Sequence, residues 1–101
     1  MKQFAPGFLI GASTAAHQVE GNNLNSDCWA LENIPHTLYV DRSGDAVDHY
    51  HLYEQDIRLM AEAGFNAYRF SLEWARIEPE EGHFSDAEIE HYRRVIRCCK
   101  Q

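Results

Sequence analysis

The sequence predicts an α/β fold in which two parallel strands alternate with two helices. Residues 8–13 and 65–72 have the pattern of strands, whereas residues 46–63 and the segment from residue 85 onward have helical periodicity. Strands that alternate with helices in this order usually lie parallel and are joined by right-handed crossovers. The chain is 45% hydrophobic and 25% charged, a composition typical of folded proteins, so we expect one domain over residues 1–101.

The first predicted strand covers residues 8–13, where an apolar run is followed by small residues. We expect this strand to be buried, because parallel strands are normally covered on both faces. Residues 14–42 form a long irregular connection that Gly21 and Pro35 interrupt. A connection of this length inside a compact domain is usually functional or contains short helices of its own.

The first predicted helix covers residues 46–63, where apolar side chains recur every three to four positions from Tyr50 onward. Ser43 or Asp45 is expected to cap its start, since both side chains accept hydrogen bonds from free backbone N–H groups. Gly64 is expected to end the helix in the left-handed conformation.

The second predicted strand, residues 65–72, carries aromatic side chains such as Tyr68 on one face and Arg69 on the other. If the aromatic face packs against helices, Arg69 points into the interior on the opposite side. A buried guanidinium is costly unless an acceptor meets it. Two interpretations stay open: an ion pair with Glu20 or Glu73 that holds the fold, or a role in orienting and charging an active-site carboxylate.

The second predicted helix begins at a capping box formed by Ser85 and Glu88. At this spacing each side chain can accept a hydrogen bond from the backbone N–H of the other residue. An apolar stripe follows on one face of this helix. It consists of Ile89, Tyr92, Ile96 and Cys99.

Polar residues follow the first strand directly, namely His17, Gln18 and Glu20. Ligands of parallel α/β proteins usually bind at the carboxyl ends of the strands. The glutamine amide both donates and accepts hydrogen bonds, which suits sugar hydroxyls, although a plain polar loop remains the alternative. Trp29 and Trp74 are candidates for stacking on a sugar ring, and otherwise they are ordinary core or rim aromatics.

The charge balance argues against several kinds of partner. Nine basic and sixteen acidic residues give a net charge of -7, which repels nucleic acids and anionic membrane surfaces. No apolar run approaches the roughly 20 residues of a membrane span, and residues 1–7 lack the pattern of a signal peptide. We therefore expect a cytoplasmic protein with no nucleic-acid or membrane partner.

The cysteines and histidines indicate neither a disulfide framework nor a metal site. Three cysteines, two of them adjacent, are best explained as free thiols in a reducing compartment, and paired metal-ligand spacings are absent. His49 and His51 lie two positions apart on a helix, so they do not share a face. We expect them to be surface or capping residues, and we expect no metal and no cofactor.

Three segments together resemble a known family. Residues 8–21 (Phe-Leu-Ile-Gly-Ala-Ser-Thr-Ala-Ala-His-Gln-Val-Glu-Gly) resemble the N-terminal signature of glycoside hydrolase family 1, of the β-glucosidase and 6-phospho-β-glucosidase type. Asp-His-Tyr-His at 48–51, with Gly-Phe-Asn at 64–66, is similar to the family's first barrel helix and its exit. Tyr-Arg-Phe-Ser at 68–71, with Trp74, resembles its second strand.

The resemblance implies the first two β-α units of a (β/α)8 TIM barrel, incomplete in these 101 residues. It implies a retaining β-glycosidase that hydrolyses the O-glycosidic bonds of β-glucoside-like sugars. By position, Gln18 would bind sugar hydroxyls and Arg69 would contact the nucleophilic glutamate. The four supporting positions would be His17, Glu20, Trp29 and Trp74.

The catalytic carboxylates of such an enzyme are missing from the sequence. A retaining glycosidase needs two carboxyls about 5–5.5 Å apart. The family carries them in Asn-Glu-Pro and Glu-Asn-Gly motifs, and neither motif occurs here. Glu73 and Glu78 are the nearest candidates, and we interpret them as solvated charges, with no carboxyl pair drawn from the ends of two strands.

We therefore expect the chain to contain no catalytic residue and to be inactive alone, with a small saccharide or β-glycoside as the partner of the family's site. The alternatives are a non-catalytic carbohydrate-binding module and a barrel fragment that self-associates through exposed sheet edges.

Overall fold

The computed structural model describes residues 3–101 and contains two short strands and five helices in that range. Met1 and Lys2, the start of the segment considered above for a signal peptide, lie outside the described residues. The elements are, in chain order, β1 (Gly11–Ser13), α1 (Ala16–Val19), α2 (Asp27–Glu32), α3 (His49–Glu62), β2 (Ala67–Arg69), α4 (Trp74–Ile77) and α5 (Asp86–Cys99).

The two strands pair in parallel, as the sequence predicts. Gly11 aligns with Ala67 and Ser13 with Arg69. The Asn66 side chain extends the pairing toward the N-terminus, because its Oδ1 accepts a hydrogen bond from the Ile10 N–H at 2.7 Å. A β-carbon at Gly11 would lie only 2.8 Å from the Ala67 carbonyl carbon. The close approach of the strands therefore requires glycine at this position.

Both strands are shorter than predicted, and the predicted burial of the first is wrong. β1 begins only at Gly11, and the preceding apolar side chains are exposed, with Leu9 70% accessible. β2 covers three residues of the predicted eight. The physical reason is that within residues 3–101 the strand pair has no neighbouring strand on either outer edge, so no further strand extends the ladder or covers its apolar flank.

Helix α3 begins three residues later than predicted, and the side chain of its N-cap residue makes no capping hydrogen bond. The N-cap residue is Asp48, in the left-handed region with φ of 53°, and neither Ser43 nor Asp45 caps the helix. The predicted stop is confirmed, since Gly64 follows the helix with φ of 97°. The helix packs against α5 on the side that carries Tyr50 and Ile57.

Helix α5 begins at the predicted cap, where the Ser85 hydroxyl accepts a hydrogen bond from the Glu88 N–H at 3.3 Å. The reciprocal half of the capping box does not form, because the Glu88 carboxylate accepts a hydrogen bond from the Tyr50 hydroxyl instead. The buried face is also rotated from the predicted stripe. It contains His91, Tyr92 and Val95, whereas Ile96 is 44% exposed.

Three one- or two-turn helices lie in segments that the sequence pattern left irregular. α1 and α2 occupy the long connection after β1, and α4 lies between the second predicted strand and the second predicted helix. The Ser26 hydroxyl caps α2 by accepting a hydrogen bond from the Trp29 N–H. The long connection thus contains short helices, one of the two possibilities expected for it.

The core is small and unusually polar. Its buried apolar residues are Ala16, Ile57, Ile77, Tyr92 and Val95, and the buried polar ones are Glu20, Asn23, Ser26, Glu32, His49 and His91. Every buried side-chain polar atom within residues 3–101 has a hydrogen-bond partner. Polar networks, as well as apolar packing, therefore hold these elements together.

His49 contradicts the prediction of a surface histidine. It is 8% exposed, its Nδ1 lies 2.7 Å from a carboxylate oxygen of Asp56, and its Nε2 lies 3.4 Å from the Tyr68 hydroxyl. His51 is exposed as predicted and contacts the N-cap residue Asp48. The two histidines differ because α3 turns only one of these positions toward the strands.

Two further properties follow from the described part of the chain. Cys28, Cys98 and Cys99 are all free thiols, as predicted. Within residues 3–101 no helix combines the length and apolarity that a bilayer crossing requires.

Candidate functional site

The carboxyl ends of β1 and β2 lie side by side, and the two segments that follow them are directly bonded. The Thr14 N–H donates to the Arg69 carbonyl at 2.9 Å, and the Thr14 and Tyr68 hydroxyls are 2.7 Å apart. The first N–H of α1, from Ala16, donates to the Ser71 hydroxyl at 2.8 Å. The segments after the two strands therefore form one continuous edge, where the sequence placed its candidate residues.

Gln18 is the one of the three polar residues after β1 whose side chain is available for a ligand. It is exposed on α1, and its amide has no hydrogen-bond partner within the described range. His17 turns away toward α2, where its Nε2 lies 3.0 Å from a Glu32 carboxylate oxygen. Glu20 is only 4% exposed. The predicted sugar-binding residue is thus accessible, and its two neighbours have structural contacts.

Arg69 is exposed at the end of β2, on the face opposite Tyr68. Its Nη1 lies 3.4 Å from the Ser13 hydroxyl on the neighbouring strand. The interpretation of Arg69 as the partner of Glu20 or Glu73 is wrong, because neither carboxylate forms a salt bridge with it in the described part of the chain. Its guanidinium consequently retains donors for an acceptor from elsewhere.

The arginine that does meet Glu20 is Arg76, on α4. Its Nε lies 3.5 Å from the Glu20 carboxylate and donates to Asn23 Oδ1 at 2.6 Å. Its Nη2 donates to the Gly21 carbonyl at 2.9 Å, and the guanidinium stacks 3.9 Å above the Tyr50 ring. Arg76 therefore fixes the chain that leaves α1.

Tyr92 completes this network from α5. Its hydroxyl donates to Glu20 Oε2 at 2.7 Å and accepts from the Glu73 N–H at 3.0 Å. Burial raises the pKa of Glu20, while the hydrogen bonds from Tyr92 and Asn23 and the positive charge of Arg76 act against that rise. Burial, together with the adjacent Glu20, also raises the pKa of Tyr92.

Two carboxyls from the segments that follow β1 and β2 lie close together. Glu20 and Glu73 both contact the Asn23 amide, at 3.1 and 3.4 Å. Glu20 is buried, and the other oxygen of Glu73 caps α4 by accepting from the Ala75 N–H. The pair is therefore built into the network and does not face a ligand, unlike the carboxyls of a glycosidase.

The two tryptophans differ in accessibility. Trp74, at the start of α4, is 57% exposed, and its Nε1 donates to Glu78 at 2.9 Å. Trp29 is half-buried on α2. Trp74 is therefore the tryptophan with a free face for stacking on a ring. The Glu78 carboxyl has a lowered pKa, since the Gly82 N–H and the Trp74 indole both donate to it.

Sequence reasoning missed Arg76 and Tyr92 as structural partners of Glu20. The hydrophobic pattern does not mark Arg76, which lies between the second predicted strand and the second predicted helix. Tyr92 did carry a signal, because a tyrosine on a buried helix face needs a partner for its hydroxyl. Among residues 3–101 no three His, Cys, Asp or Glu side chains cluster in a way that could hold a metal ion.

Comparison with known proteins gives a consistent result over the whole chain. Residues 1–101 match glycosyl hydrolase family 1. The chain is 41% identical to coniferin beta-glucosidase of Pinus contorta, an alignment that covers 92% of this chain and 20% of that protein. It is 37% identical to beta-glucosidase A of Acetivibrio thermocellus, over 91% of this chain and 22% of that protein.

Solved structures agree with these relatives. Beta-glycosidase BGL167 is 62% identical with a TM-score of 0.91, and the alignment covers 96% of this chain and 23% of that one. A beta-glycosidase from Pyrococcus horikoshii is 45% identical with a TM-score of 0.87, over 96% and 22% of the two chains. The chain thus spans about a fifth of the length of the curated relatives it matches.

Proposed function

The chain belongs to glycosyl hydrolase family 1, and from this premise we propose that it forms the first two β-α units of a (β/α)8 barrel in a retaining β-glycosidase. The parallel strand pair and the TM-score of 0.91 to a beta-glycosidase support this architecture. The relatives named as beta-glucosidases support β-glucoside-like substrates. In the barrel, the edge formed by the carboxyl ends of β1 and β2 is on the catalytic face.

The observation that carries the proposal is the placement of Gln18 and Arg69. They follow or end two adjacent parallel strands, both are exposed, and neither has a carboxylate or amide partner within residues 3–101. An exposed polar side chain with free donors or acceptors at this edge is available for a ligand. Gln18 would exchange hydrogen bonds with sugar hydroxyls, since its amide offers both donor and acceptor.

Arg69 would act on the glutamate that attacks the anomeric carbon. A guanidinium next to a carboxylate favours the ionised form of that carboxylate, which is the nucleophilic form. In the retaining reaction this carboxylate displaces the aglycone, whose oxygen is protonated by the second carboxyl, and water then releases the sugar. Arg69 supports the first displacement without forming a bond to the sugar itself.

We also propose that these 101 residues have no hydrolytic activity alone. Neither Asn-Glu-Pro nor Glu-Asn-Gly occurs in the sequence. The carboxylates of Glu20 and Glu73, in the segments after the two strands, both accept from the Asn23 amide. The free thiols of the three cysteines support a reducing compartment, such as the cytoplasm, for the protein.

A chimera tests the proposal. The 101 residues replace the matching segment of the 62% identical beta-glycosidase, and hydrolysis of p-nitrophenyl β-glucoside is measured. We expect an active chimera, with kcat/KM reduced about 10- to 100-fold by Gln18→Ala or Arg69→Ala, since each removes hydrogen bonds to a charged or reacting group. Gln55→Ala and Arg58→Ala, at exposed positions of α3, are the matched controls.

Two outcomes would contradict these statements separately. If Gln18→Ala and Arg69→Ala behave like their controls, the assigned roles are wrong. If the isolated 101-residue chain releases nitrophenol above the buffer blank, the proposed inactivity is wrong.

Self-association is a second candidate, and the exposed apolar flank of β1 favours it. Phe8 and Leu9 are 51% and 70% accessible, and both outer edges of the strand pair are unpaired within the described residues. Such edges are templates for further strands. Sedimentation velocity at rising concentration tests this candidate, and a purely monomeric species at high concentration would exclude it.

A further inference from the structure

We propose that Glu20, Asn23, Arg76 and Tyr92 form a clamp, called here the Glu20 clamp, that positions Gln18 for its ligand. The inference rests on the proposed function, because it concerns residues that act through Gln18. Each member is a positioning residue that does not touch the sugar.

The need for such a clamp follows from the length of α1. The helix has four residues, Ala16–Val19, and one turn is not stable in water by itself. Its orientation must therefore come from contacts with other elements. At its N-terminal end the Ala16 N–H donates to the Ser71 hydroxyl, and at its C-terminal end the helix is followed by the C-cap residue Glu20.

The rear of α1 is fixed by the Glu20 side chain. Tyr92 donates to one carboxylate oxygen at 2.7 Å, and Asn23 donates to the other at 3.1 Å. Arg76 adds its charge and also binds the Gly21 carbonyl and Asn23 Oδ1. A buried carboxylate with this many donors has one low-energy position, because any shift would leave a donor or a charge unpaired.

The clamp also joins the two segments that carry the accessible site residues. The Tyr92 hydroxyl donates a hydrogen bond to Glu20, which directly follows α1. It accepts one from the backbone N–H of Glu73, the N-cap residue of α4. The exposed Trp74 begins α4. The Tyr92 hydroxyl is thus bonded both to the segment that carries the Gln18 amide and to the segment that carries the Trp74 indole.

The clamp predicts a specific kinetic result for substitutions of Tyr92 and Gln18. If Tyr92 acts through Gln18, removing its hydroxyl should matter only while the Gln18 amide is present. A purely structural role would lower activity by the same factor whatever residue occupies position 18. A double-mutant cycle separates the two cases.

The cycle is measured in the chimera described above, with p-nitrophenyl β-glucoside and separate determination of kcat and KM. We expect Tyr92→Phe alone to lower kcat/KM about 5- to 20-fold, and to lower it less than 2-fold further when Gln18→Ala is already present. Tyr53→Phe, a half-buried tyrosine of α3 without a hydroxyl hydrogen bond in the described range, is the control and should change neither value.

Independent, multiplying losses in the Tyr92→Phe and Gln18→Ala cycle would overturn the clamp while leaving the proposed function in place. A Tyr92→Phe chimera indistinguishable from the parent would do the same. If Gln18→Ala leaves kcat/KM unchanged, both the proposed function and the clamp are refuted. If Tyr92→Phe does not yield folded protein, Arg76→Lys replaces it in the cycle, with the same expected coupling, since lysine keeps the charge but loses the planar donors.

Discussion

The imidazole of His91 should make the stability of the protein depend on pH. The side chain is 4% exposed and stacks 3.9 Å from the Tyr50 ring, with the edges of Tyr53 and Tyr92 beside it. This burial lowers the pKa of His91 from 6.5 to about 4, and nearby arginines act in the same direction while Glu88 opposes them. The folded state therefore holds the imidazole neutral.

The sign and size of the effect follow from proton linkage. Unfolded chains take up a proton below about pH 6.5, whereas the folded protein does so only near pH 4. The contribution of His91 to the free energy of unfolding is therefore fully present above pH 6.5 and is lost as the pH falls toward 4. For these two pKa values the loss between pH 8 and pH 5 is about 2 kcal/mol, and solvent screening reduces it to about 1–2 kcal/mol.

Urea unfolding, followed by tryptophan fluorescence at pH 8 and pH 5, measures this loss. We expect His91→Phe, which keeps a stacked ring but cannot titrate, to reduce the difference between the two pH values by about 1–2 kcal/mol. His83→Phe, at an exposed histidine, should leave the difference unchanged. An equal pH dependence in His91→Phe and the parent would refute the assignment of the effect to His91.

Three further substitutions test other features by unfolding. Tyr92→Phe should destabilise the fold by about 2–3 kcal/mol, because it removes two buried hydrogen bonds, one to a carboxylate, and Tyr53→Phe should change stability by less than about 0.5 kcal/mol. Gly11→Ala should cost at least about 2 kcal/mol, since its β-carbon would overlap the Ala67 backbone; a neutral effect would refute the close strand approach. Ser85→Ala should cost about 1 kcal/mol through loss of the α5 cap, and unchanged helicity and stability would contradict that role.

The elements that could be predicted from sequence are those fixed by local patterns. Helical periodicity and Gly64 located α3, and the serine cap located the start of α5. The alternation of strands and helices gave the parallel pairing. The strand lengths could not be predicted. The apolar pattern of residues 8–13 is that of a strand buried beside further strands, and the described chain contains no further strand.

The contacts around the candidate site could be predicted only in part, for the same reason. The exposed positions of Gln18 and Arg69 near the ends of β1 and β2 agree with the predicted strands, while their roles at a sugar site stay predictions. The partner of Glu20 was not, since the choice between Arg69 and Arg76 depends on how α4 folds back over the turn after α1. His49 was misassigned because its burial depends on Tyr68, 19 residues away in the chain. Long-range contacts of this kind leave no periodic trace in the sequence.

The register of the two strands has a consequence for the order of folding. Ile10 and Asn66 must meet across a separation of 56 residues, whereas α3 and α5 form from contacts only three or four residues apart. Closing so long a loop costs entropy before the strands return any bonding energy, so helices form on a faster timescale than the strand pair. The strand pair is therefore expected to assemble last, and the edge near which Arg69 and the α1 residue Gln18 lie is expected to form with it.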